Sequence, residues 1–466
     1  MKRRGFDWLK YANMTSWWFS WDDLKYPAQE IISKWERRAD IYKSIGVNSV
    51  TTFGVHFRWD WLNYFDRYDA MLRKVVEICH ARGITVTDHH SNQLVHRIRD
   101  EKDREHIVIN QDHHLPLFPD SWDNQVINGK KLSDWRIISA KTDKPVYLPG
   151  YNAEAFCPNN PDYLEEYYAY VTRLARNTGI DGVMSDDTAF HPDIYSCTCQ
   201  YCREKFKQRT GKEIPSVEDT GFWNNYSDSL FQAWIQMRYD SVDAFYCNLR
   251  KALPDNVALW GCCCGDVMPY KVRQGCSMEM WVRHMDAVYV EMYHALDFEK
   301  DRARIVSELA VASSLGDYNG KPALIHSYSD NPAVLKKWAA LCEKFGTRTW
   351  YCRMVRELPV IYEDVILKGG YPLVKAGTAM PYSCGIVYSR KLKDLFGEND
   401  DSYYQAFSSL IEKVFTSDMR PQIIFDDFKP EEFQYKDIYA PMHDKLDDDM
   451  RKYLSATGLN ISQGLQ

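Results

Sequence analysis

The amino-acid sequence predicts an α/β protein in which a (β/α)8 barrel precedes a second, smaller α/β unit. Eight short apolar runs rich in β-branched and aromatic residues recur between positions 15 and 354, and stretches of helical period lie between them. Eight strand-helix units are what this barrel requires, and the fold tolerates long insertions beyond its typical ~250 residues. An open doubly wound sheet is the alternative for the same alternation.

The sequence alternates between short apolar runs, which predict strands, and segments with apolar residues at helical spacing, which predict helices. Strands are expected at 15–21 (TSWWFSW), 48–54 (NSVTTFG), 84–90 (ITVTDHH), 181–187 (DGVMSDD), 257–264 (VALWGCCC), 286–293 (DAVYVEMY), 322–329 (PALIHSYS) and 347–354 (TRTWYCRM). Helices are expected at 27–45, 67–82, 161–177, 227–253, 299–315 and 332–345.

Two long insertions interrupt the predicted barrel, which spans residues 1–378. The first, 97–160, follows the third strand, and the second, 188–219, follows the fourth. Connections of this length are uncommon unless they are functional or form a subdomain. Because sites in this fold are built at the carboxyl ends of the strands, both insertions are expected to border the active face.

Residues 379–466 predict the second unit. The order is a strand in CGIVYS, a helix at 403–415, strands in PQIIFDDF and DIYAP, and a helix at 446–454. This alternation is typical of a flavodoxin-like α/β domain. The final segment, ATGLNISQGLQ, lies where another buried strand would be needed, so the domain is expected to be incomplete.

Composition excludes several classes of partner. The 58 basic and 65 acidic residues give a formal charge of -7, without a long basic block, so neither nucleic acid nor an anionic membrane is expected. The opening MKRRGFDWLKYANM lacks an apolar leader segment, and no long apolar run follows. The odd number of cysteines, 13, is scattered through apolar runs, which favours reduced thiols and a cytoplasmic location. The aromatic content of 14% suits a sugar-binding cleft.

The motif CTCQYCREKF places three thiols, Cys197, Cys199 and Cys202, at C-x-C-x-x-C spacing. Cys157, in AFCPNNP, is the best candidate for a fourth ligand. Four thiolates would close the shell of a tetrahedral zinc ion and leave no position for water, so such an ion would be structural. Unmetallated thiols are the alternative, and a catalytic zinc is a further one, since His191 and Asp193 only faintly match the H-x-E part of the zinc deaminase signature.

The fragment FCPNNP, the acidic end of predicted strand four and CTCQYCREKF together resemble the barrel of glycoside hydrolase family 42 β-galactosidases. That resemblance implies structural zinc on the same four cysteines. The last segment is similar to the flavodoxin-like trimerisation domain of that family through CGIVYS, DDSYYQAFSSLIEKVF and YKDIYAPMHDKLDDDMRKYLSATG. The resemblance also implies a carbohydrate substrate and a homo-oligomer, a dimer or a trimer.

Glycoside hydrolysis needs two carboxyl groups, about 5 to 5.5 Å apart for retention and about 6.5 to 9.5 Å apart for inversion. Asp186 and Asp187 end predicted strand four, and only one is expected to face the barrel axis because side chains alternate along a strand. The family pattern points to Asp187 if one residue is inserted, whereas DGVMSD resembles the DGVWFD of α-fucosidases and points to Asp186. Glu291, in VYVEMY, is the second candidate carboxyl group.

The family nucleophile lies on strand seven, where this chain has ALIHSYSD with His326. We therefore expect one strand-four aspartate to attack or position, and Glu291 to protonate the leaving oxygen. A structural ion pair of Glu291 with Arg353 is the alternative for that glutamate. Further candidates for substrate contacts are Trp18, Asp22, His56, His89, His90, His113, His114, Arg136, His326 and Arg353.

Two other functions fit the same chain. A sialidase-like exo-glycosidase would use Asp22 with His113 or His114, and Arg97 or Arg136 would bind the substrate carboxylate. A noncatalytic carbohydrate-binding or assembly protein is favoured by the missing strand-seven glutamate and opposed by the three strand-end carboxylates.

Overall fold

The computed structural model describes residues 6–109, 125–263, 265–292, 298–328, 331–352, 372–377, 379–416 and 420–464. Its main sheet has eight strands, each overlapping one of the predicted runs. They are β1 (Met14–Trp18), β2 (Ser49–Phe53), β3 (Thr85–Ser91), β4 (Gly182–Asp186), β5 (Ala258–Gly261), β6 (Val288–Glu291), β7 (Ala323–Tyr328) and β8 (Arg348–Cys352).

The eight strands form a nearly closed parallel ring. Pairing runs in the order β6-β7-β8-β1-β2-β3-β4-β5, and all neighbouring strands in this order are parallel. Two backbone hydrogen bonds join the ends of this order, from Asp286 N to Leu259 O at 2.7 Å and from Glu291 N to Cys263 O at 3.0 Å. The predicted (β/α)8 barrel is confirmed, and the open doubly wound sheet is excluded.

The helices that connect the barrel strands begin and end at sequence signals for capping. Asn160 accepts hydrogen bonds from the first turn of helix Pro161–Thr178, and Gly179 ends the helix at a φ of 74°. The other connecting helices are Gln29–Ser44, Phe65–His80, Ser229–Ala252, Arg302–Asn319 and Pro332–Phe345.

Large aromatic side chains fill the lower part of the barrel. The short helix Asp7–Lys10 brings Trp8 to Trp260 of β5, with the ring centroids 6.3 Å apart. Gly182 makes room for that ring, because a Cβ there would lie 3.1 Å from Trp260 and 2.9 Å from Thr87. The interior of the barrel is therefore a packed core at this end.

Both insertions fold as compact additions above the carboxyl ends of the strands. The first contains helix Glu101–Ile109, the 3-10 turn Leu132–Trp135 and the strand Ala153–Ala155, which pairs antiparallel with Leu94–His96 just before the insertion. A two-residue hairpin joins Val126–Ile127 to Lys130–Lys131. The second contains helix Gln200–Thr210, and its residues share a separate apolar cluster that includes Ile194, Phe206, Phe231 and Trp234.

The C-terminal unit is a second parallel sheet with its own helices. Its strands are β9 (Tyr382–Val387), β10 (Arg420–Ile424), β11 (Asp437–Tyr439) and β12 (Asn460–Ser462), in the order β10-β9-β11-β12. The remaining helices are Arg390–Phe396, Ser402–Thr416 and Asp448–Ala456, besides the four-residue helices Lys271–Gln274 and Met278–Trp281. The last segment contains β12, a short, half-exposed strand and not a buried one, so the expected incompleteness of the domain stays a prediction.

Helix Arg302–Asn319 joins the two units. Ser313 Oγ donates to Phe345 O at 2.6 Å, and Ser314 Oγ accepts from Ile423 N of β10 at 2.9 Å. Buried residues of both units belong to one continuous apolar cluster. The division between residues 378 and 379 stays a prediction. Across the described ranges, none of the helices combines the length and the apolar composition needed to cross a bilayer.

Candidate active site

Eight side chains, one from each barrel strand or the residue after it, meet at the carboxyl end of the ring. Neighbouring members touch: the Trp18 and Phe53 rings lie 4.7 Å apart, and Phe53 and His89 lie 4.6 Å apart. The His326 and Trp350 rings stack at 3.9 Å with only 10° between their planes. The mouth thus has an aromatic half and a carboxylate half. Its members are Trp18, Phe53, His89, Asp186, Cys262, Glu291, His326 and Trp350.

Cys262 lies between the two candidate carboxyl groups. Its thiol donates to Glu291 Oε2 at 3.3 Å and is also hydrogen-bonded to the Asp186 carboxylate. The Asp186 and Glu291 side chains are 14% and 13% exposed, so both are mostly shielded but still reach the mouth. Both carboxyl groups therefore lie within reach of one sulfur atom.

The environment of Asp186 disfavours its ionised form. Burial, and after it the charge of Asp187, raises the pKa of the Asp186 carboxyl to about 8. His89 Nε2 lies 2.9 Å from Asp186 Oδ2. Burial also lowers the pKa of His89 to about 4, although Glu291 and Asp187 oppose this shift. The ring is therefore neutral at physiological pH and can contact the carboxyl group without forming a full ion pair.

Asp187 comes to the same mouth by a turn of the backbone. Its φ is 61°, which is the left-handed region that aspartate visits more readily than most residues. Its Oδ2 lies 3.4 Å from His56 Nε2, and its N–H donates to Asp186 Oδ1 at 2.7 Å. The expectation that only one of the two aspartates can face the axis was wrong, because the strand ends at Asp186 and alternation stops there.

Asn92 holds the end of β4 in place. Its side-chain amide donates to Ser185 Oγ at 2.9 Å and to Thr188 Oγ1 at 2.6 Å, on either side of the aspartate pair. Its backbone N–H donates to Asp186 O at 3.2 Å. Asn92 is fully buried, so these bonds fix the direction in which both aspartates leave the strand.

His326 lies at the carboxyl end of the barrel, on β7. The Tyr289 hydroxyl oxygen lies 2.7 Å from His326 Nδ1, and Glu291 Oε1 lies 4.0 Å from the same nitrogen. The imidazole is stacked flat on Trp350 and is 1% exposed. This packing fixes the ring beside Glu291, so His326 is placed to orient that carboxyl group.

His90 does not line the pocket, which corrects the sequence-based expectation. It points out of the barrel, with Nδ1 2.7 Å from Asp88 Oδ2 and Nε2 2.9 Å from the Tyr167 hydroxyl. Arg58 pairs with Asp88 at 3.0 Å in the same buried network. Although burial opposes ionisation, Arg58 and His90 hold the pKa of Asp88 well below its usual range. Because side chains alternate in direction along β3, His89 points into the site and His90 points away from it, toward the surrounding helices.

Two other expected substrate contacts are not part of the mouth. Asp22 is 67% exposed and pairs with Lys25 at 2.9 Å on the outer surface. Arg136 lies in the first insertion, where its guanidinium donates to Glu154 at 3.1 Å, and Arg97 approaches the same glutamate at 3.8 Å. Three further candidates, His113, His114 and Arg353, lie outside the described residues.

The four candidate zinc ligands converge as the motif spacing indicates. Cys157 comes from the first insertion and Cys197, Cys199 and Cys202 from the second, and their sulfur atoms all lie within 4.8 Å of one another. The Cys157–Cys202 and Cys157–Cys199 sulfur distances are 3.5 and 3.6 Å. Tetrahedral zinc with Zn–S bonds of about 2.3 Å places sulfurs about 3.8 Å apart, so the group fits one ion.

Backbone groups surround these sulfurs as donors. Ile138 N donates to Cys197 Sγ at 3.3 Å, and Asn159 N donates to Cys157 Sγ at 3.4 Å. Such donors stabilise thiolates, the form that binds metal. These four cysteines are free thiols in the structure.

Sequence reasoning missed three members of the mouth, namely Phe53, Cys262 and Trp350. Tyr289, which contacts His326, lies two residues before Glu291 and so shares its face of β6. Cys262 lies beyond the last residue of β5, and its position between two carboxyl groups depends on how β4 and β6 flank that strand.

The chain resembles known proteins in its structure but not in its sequence. No protein-family profile matches the chain, and no curated protein matches it in sequence. A β-galactosidase from the haloarchaeon Halorubrum lacusprofundi superposes with a TM-score of 0.66 at 11% identity, covering 95% of this chain and 71% of that one. The cold-adapted β-galactosidase of Rahnella sp. R3 gives 0.66 at 13% identity, covering 96% and 69%.

A catalytic mutant of a family 42 β-galactosidase from G. stearothermophilus gives a TM-score of 0.64 at 14% identity, covering 95% of this chain and 69% of that one. At these identities the likeness shows a shared fold. The expected similarity to family 42 is therefore confirmed for the arrangement of the chain, which has the barrel architecture of those β-galactosidases.

Proposed function

We propose that this protein is a glycoside hydrolase that removes a terminal sugar from an oligosaccharide or glycoconjugate. The single observation behind the proposal is that Asp186 and Glu291, from β4 and β6, are bridged by the Cys262 thiol at the mouth of the barrel. Paired carboxyl groups in a shielded cleft are what hydrolysis of a glycosidic bond requires. The similarity of fold to β-galactosidases supports the same reaction class.

In this proposal the two carboxyl groups have different tasks. Glu291 protonates the leaving oxygen, and His326, stacked on Trp350, lies beside that carboxyl group. Asp186 faces the anomeric carbon and, in its ionised form, either attacks it or positions water, while Asp187 stands beside it. The aromatic half of the mouth, with Trp18 and Phe53, offers flat apolar faces against which a sugar ring can pack.

The sialidase-like alternative loses support from the first insertion. Arg97 and Arg136 both approach Glu154, so the guanidinium groups expected to bind a substrate carboxylate are engaged with a protein carboxylate. A noncatalytic sugar-binding barrel keeps one observation in its favour, the imidazole of His326 where family 42 is expected to have a glutamate. Measurement of turnover separates it from the hydrolase.

We also propose that the four-cysteine group holds a structural zinc ion. It would tie the first insertion to the second, since Cys157 and Cys202 belong to different insertions, and so stabilise the loops around the mouth. Every position of its shell would be filled by sulfur, so it would take no part in hydrolysis. A cytoplasmic location and a homo-oligomer, a dimer or a trimer, remain predictions from the sequence.

A panel of aryl glycosides tests the function. The wild-type protein should release the aryl group from at least one of them, and Asp186→Asn should lower kcat by at least about 1,000-fold, whereas the loss in Glu291→Gln should grow as the leaving group becomes poorer. Glu299→Gln is the matched control, because Glu299 is an exposed carboxylate paired with Lys337, and it should keep full turnover. Binding of sugar without any turnover would favour the noncatalytic barrel instead.

A further inference from the structure

Two histidines and an aspartate from neighbouring parts of the barrel converge at the mouth. His56 follows β2, His89 belongs to β3 and Asp186 ends β4, and one potential ligand atom from each lies within 4.8 Å of the others. The His56 and His89 ring centroids lie 4.5 Å apart. Ligands bound to one ion at about 2.0 to 2.2 Å lie about 3 to 4 Å from each other, so this spacing suits a shared ion.

Asp187 brings a second carboxylate to the same place. Its Oδ2 lies 3.4 Å from His56 Nε2 and is buried without a hydrogen-bond donor among the described residues. A buried carboxylate oxygen that receives no hydrogen bond is costly in a folded protein. A bound cation would satisfy this oxygen and at the same time shield it from the neighbouring Asp186.

The local charge also calls for a cation. Asp186 and Asp187 are adjacent and mostly buried, and the rings beside them are those of His89 and His56. The buried ammonium group of Lys271 also acts on Asp186, since its charge opposes the upward shift in the pKa of that carboxyl group. A divalent ion bound beside the two carboxylates would offset their mutual repulsion further.

We propose that His56, His89 and Asp186 bind one divalent transition-metal ion at the mouth of the barrel, with Asp187 beside them. Two imidazole nitrogens and a carboxylate oxygen are a donor set that suits Zn²⁺ or Mn²⁺, whereas Ca²⁺ and Mg²⁺ favour oxygen donors alone. This site is separate from the four-cysteine group, because its ligands come from β2, β3 and β4 and not from the two insertions.

The role of the ion in catalysis rests on the proposed glycosidase function. An ion held by protein ligands on one side would keep open positions toward the cleft, and two adjacent hydroxyl groups of a sugar can fill them. The substrate would then be a glycoside whose terminal unit has two neighbouring free hydroxyls. A carboxylate has several lone pairs, so Asp186 can bind the ion and still face the sugar.

Titration of the folded full-length protein with Mn²⁺, followed by electron paramagnetic resonance of the free ion, tests the site. Mn²⁺ is the probe because it prefers nitrogen and oxygen donors to thiolates, so the four-cysteine group does not compete for it. We expect one bound Mn²⁺ per chain. His56→Gln and His89→Gln should each weaken binding by at least about 100-fold, more than the loss of an outer partner costs.

His284→Gln is the matched control, because this histidine precedes β6 and pairs with Asp243 at 3.0 Å, and it should bind Mn²⁺ as the wild type does. Asp187→Asn provides a second variant if a histidine variant fails to fold, and should weaken binding at least about 10-fold. Wild-type protein that binds no Mn²⁺, or a folded His56→Gln variant that binds it normally, would overturn the proposal. Mn²⁺ binding without turnover of any glycoside would sink the proposed function and leave the metal site standing.

Discussion

The thiol of Cys262, just after β5, donates to Glu291 Oε2 of β6 at 3.3 Å, and the same thiol is hydrogen-bonded to the Asp186 carboxyl group at the end of β4. A single S–H group has one proton to donate, so it cannot satisfy both carboxyl groups at once. The gap it occupies is where the scissile bond of a glycoside would lie if both carboxyl groups act on it.

Alkylation of Cys262 is therefore expected to stop turnover. Iodoacetamide would add a polar group between the two carboxyl groups and exclude the substrate. Residual activity on the best aryl glycoside, followed against time, measures the effect, and bound sugar should slow the loss. The Cys262→Ala variant is the control and should resist the reagent. Equal inactivation of that variant would show that another thiol is responsible and would argue against this position for Cys262.

Loss of the four-cysteine group should destabilise the protein without removing its catalytic carboxyl groups. Cys199→Ser is expected to lose one equivalent of zinc by elemental analysis and to lower the melting temperature by about 10 °C, because structural zinc contributes several kcal/mol. Cys247→Ser is the matched control, since Cys247 is a half-buried thiol on helix Ser229–Ala252 away from the group. Unchanged zinc content in Cys199→Ser would contradict a zinc site of four thiolates.

Breaking the buried network behind the site should be much costlier than breaking a surface pair. Asp88→Asn leaves the Arg58 guanidinium buried without its anion and should lower the free energy of unfolding by about 3 to 5 kcal/mol. Asp22→Asn, which breaks only the exposed pair with Lys25, should change it by less than about 1 kcal/mol. Urea unfolding of both variants measures the difference, and equal losses would show that the Asp88 network contributes little.

Stability should fall as the pH rises from about 5 to about 9, because two carboxyl groups buried between the barrel and the C-terminal unit resist ionisation. Burial, and then Asp426, raises the pKa of Glu279 to about 8. Burial, and then Asp266, raises the pKa of Glu308 to about 7. A raised folded-state pKa means that the unfolded chain releases these protons first, so the stabilisation is present at low pH and is lost through this window.

Glutamine mimics the protonated acid, so Glu279→Gln and Glu308→Gln should each flatten the dependence of unfolding free energy on pH. Urea unfolding at pH 5, 7 and 9 measures it. Glu299→Gln, at an exposed position, should keep the wild-type slope. A wild-type protein that is equally stable at pH 5 and pH 9 would show that these carboxyl groups are ionised in the folded state.

The barrel could be predicted from sequence because its strands are buried on both faces and read as continuous apolar runs. Each of the eight predicted runs overlaps a strand, and helix Pro332–Phe345 has the predicted bounds. The strand β12 was missed because Asn460–Ser462 is short and half-exposed, so it has no apolar run to mark it. Local composition therefore finds long buried elements and misses short pairings that the tertiary fold stabilises.

The sequence indicated individual residues of the site but not how their side chains are arranged. Carboxyl groups at the ends of apolar strands pointed to Asp186 and Glu291, and alternation could separate His89 from His90 once the end of β3 was known. The left-handed turn at Asp187 has no sequence signal beyond the residue type, so the approach of both aspartates to His56 and His89 required coordinates.

The dependence of rate on the leaving group tests the central claim most directly, namely that Glu291 protonates the leaving oxygen. For a glycoside with a poor alkyl leaving group, Glu291→Gln should lower kcat by about 100- to 10,000-fold, because departure needs the proton. For a dinitrophenyl glycoside of the same sugar, which needs no proton to depart, the variant should keep a rate within about 10-fold of wild type. Equal losses on the two substrates, or no loss on the alkyl glycoside, would contradict the assignment of Glu291.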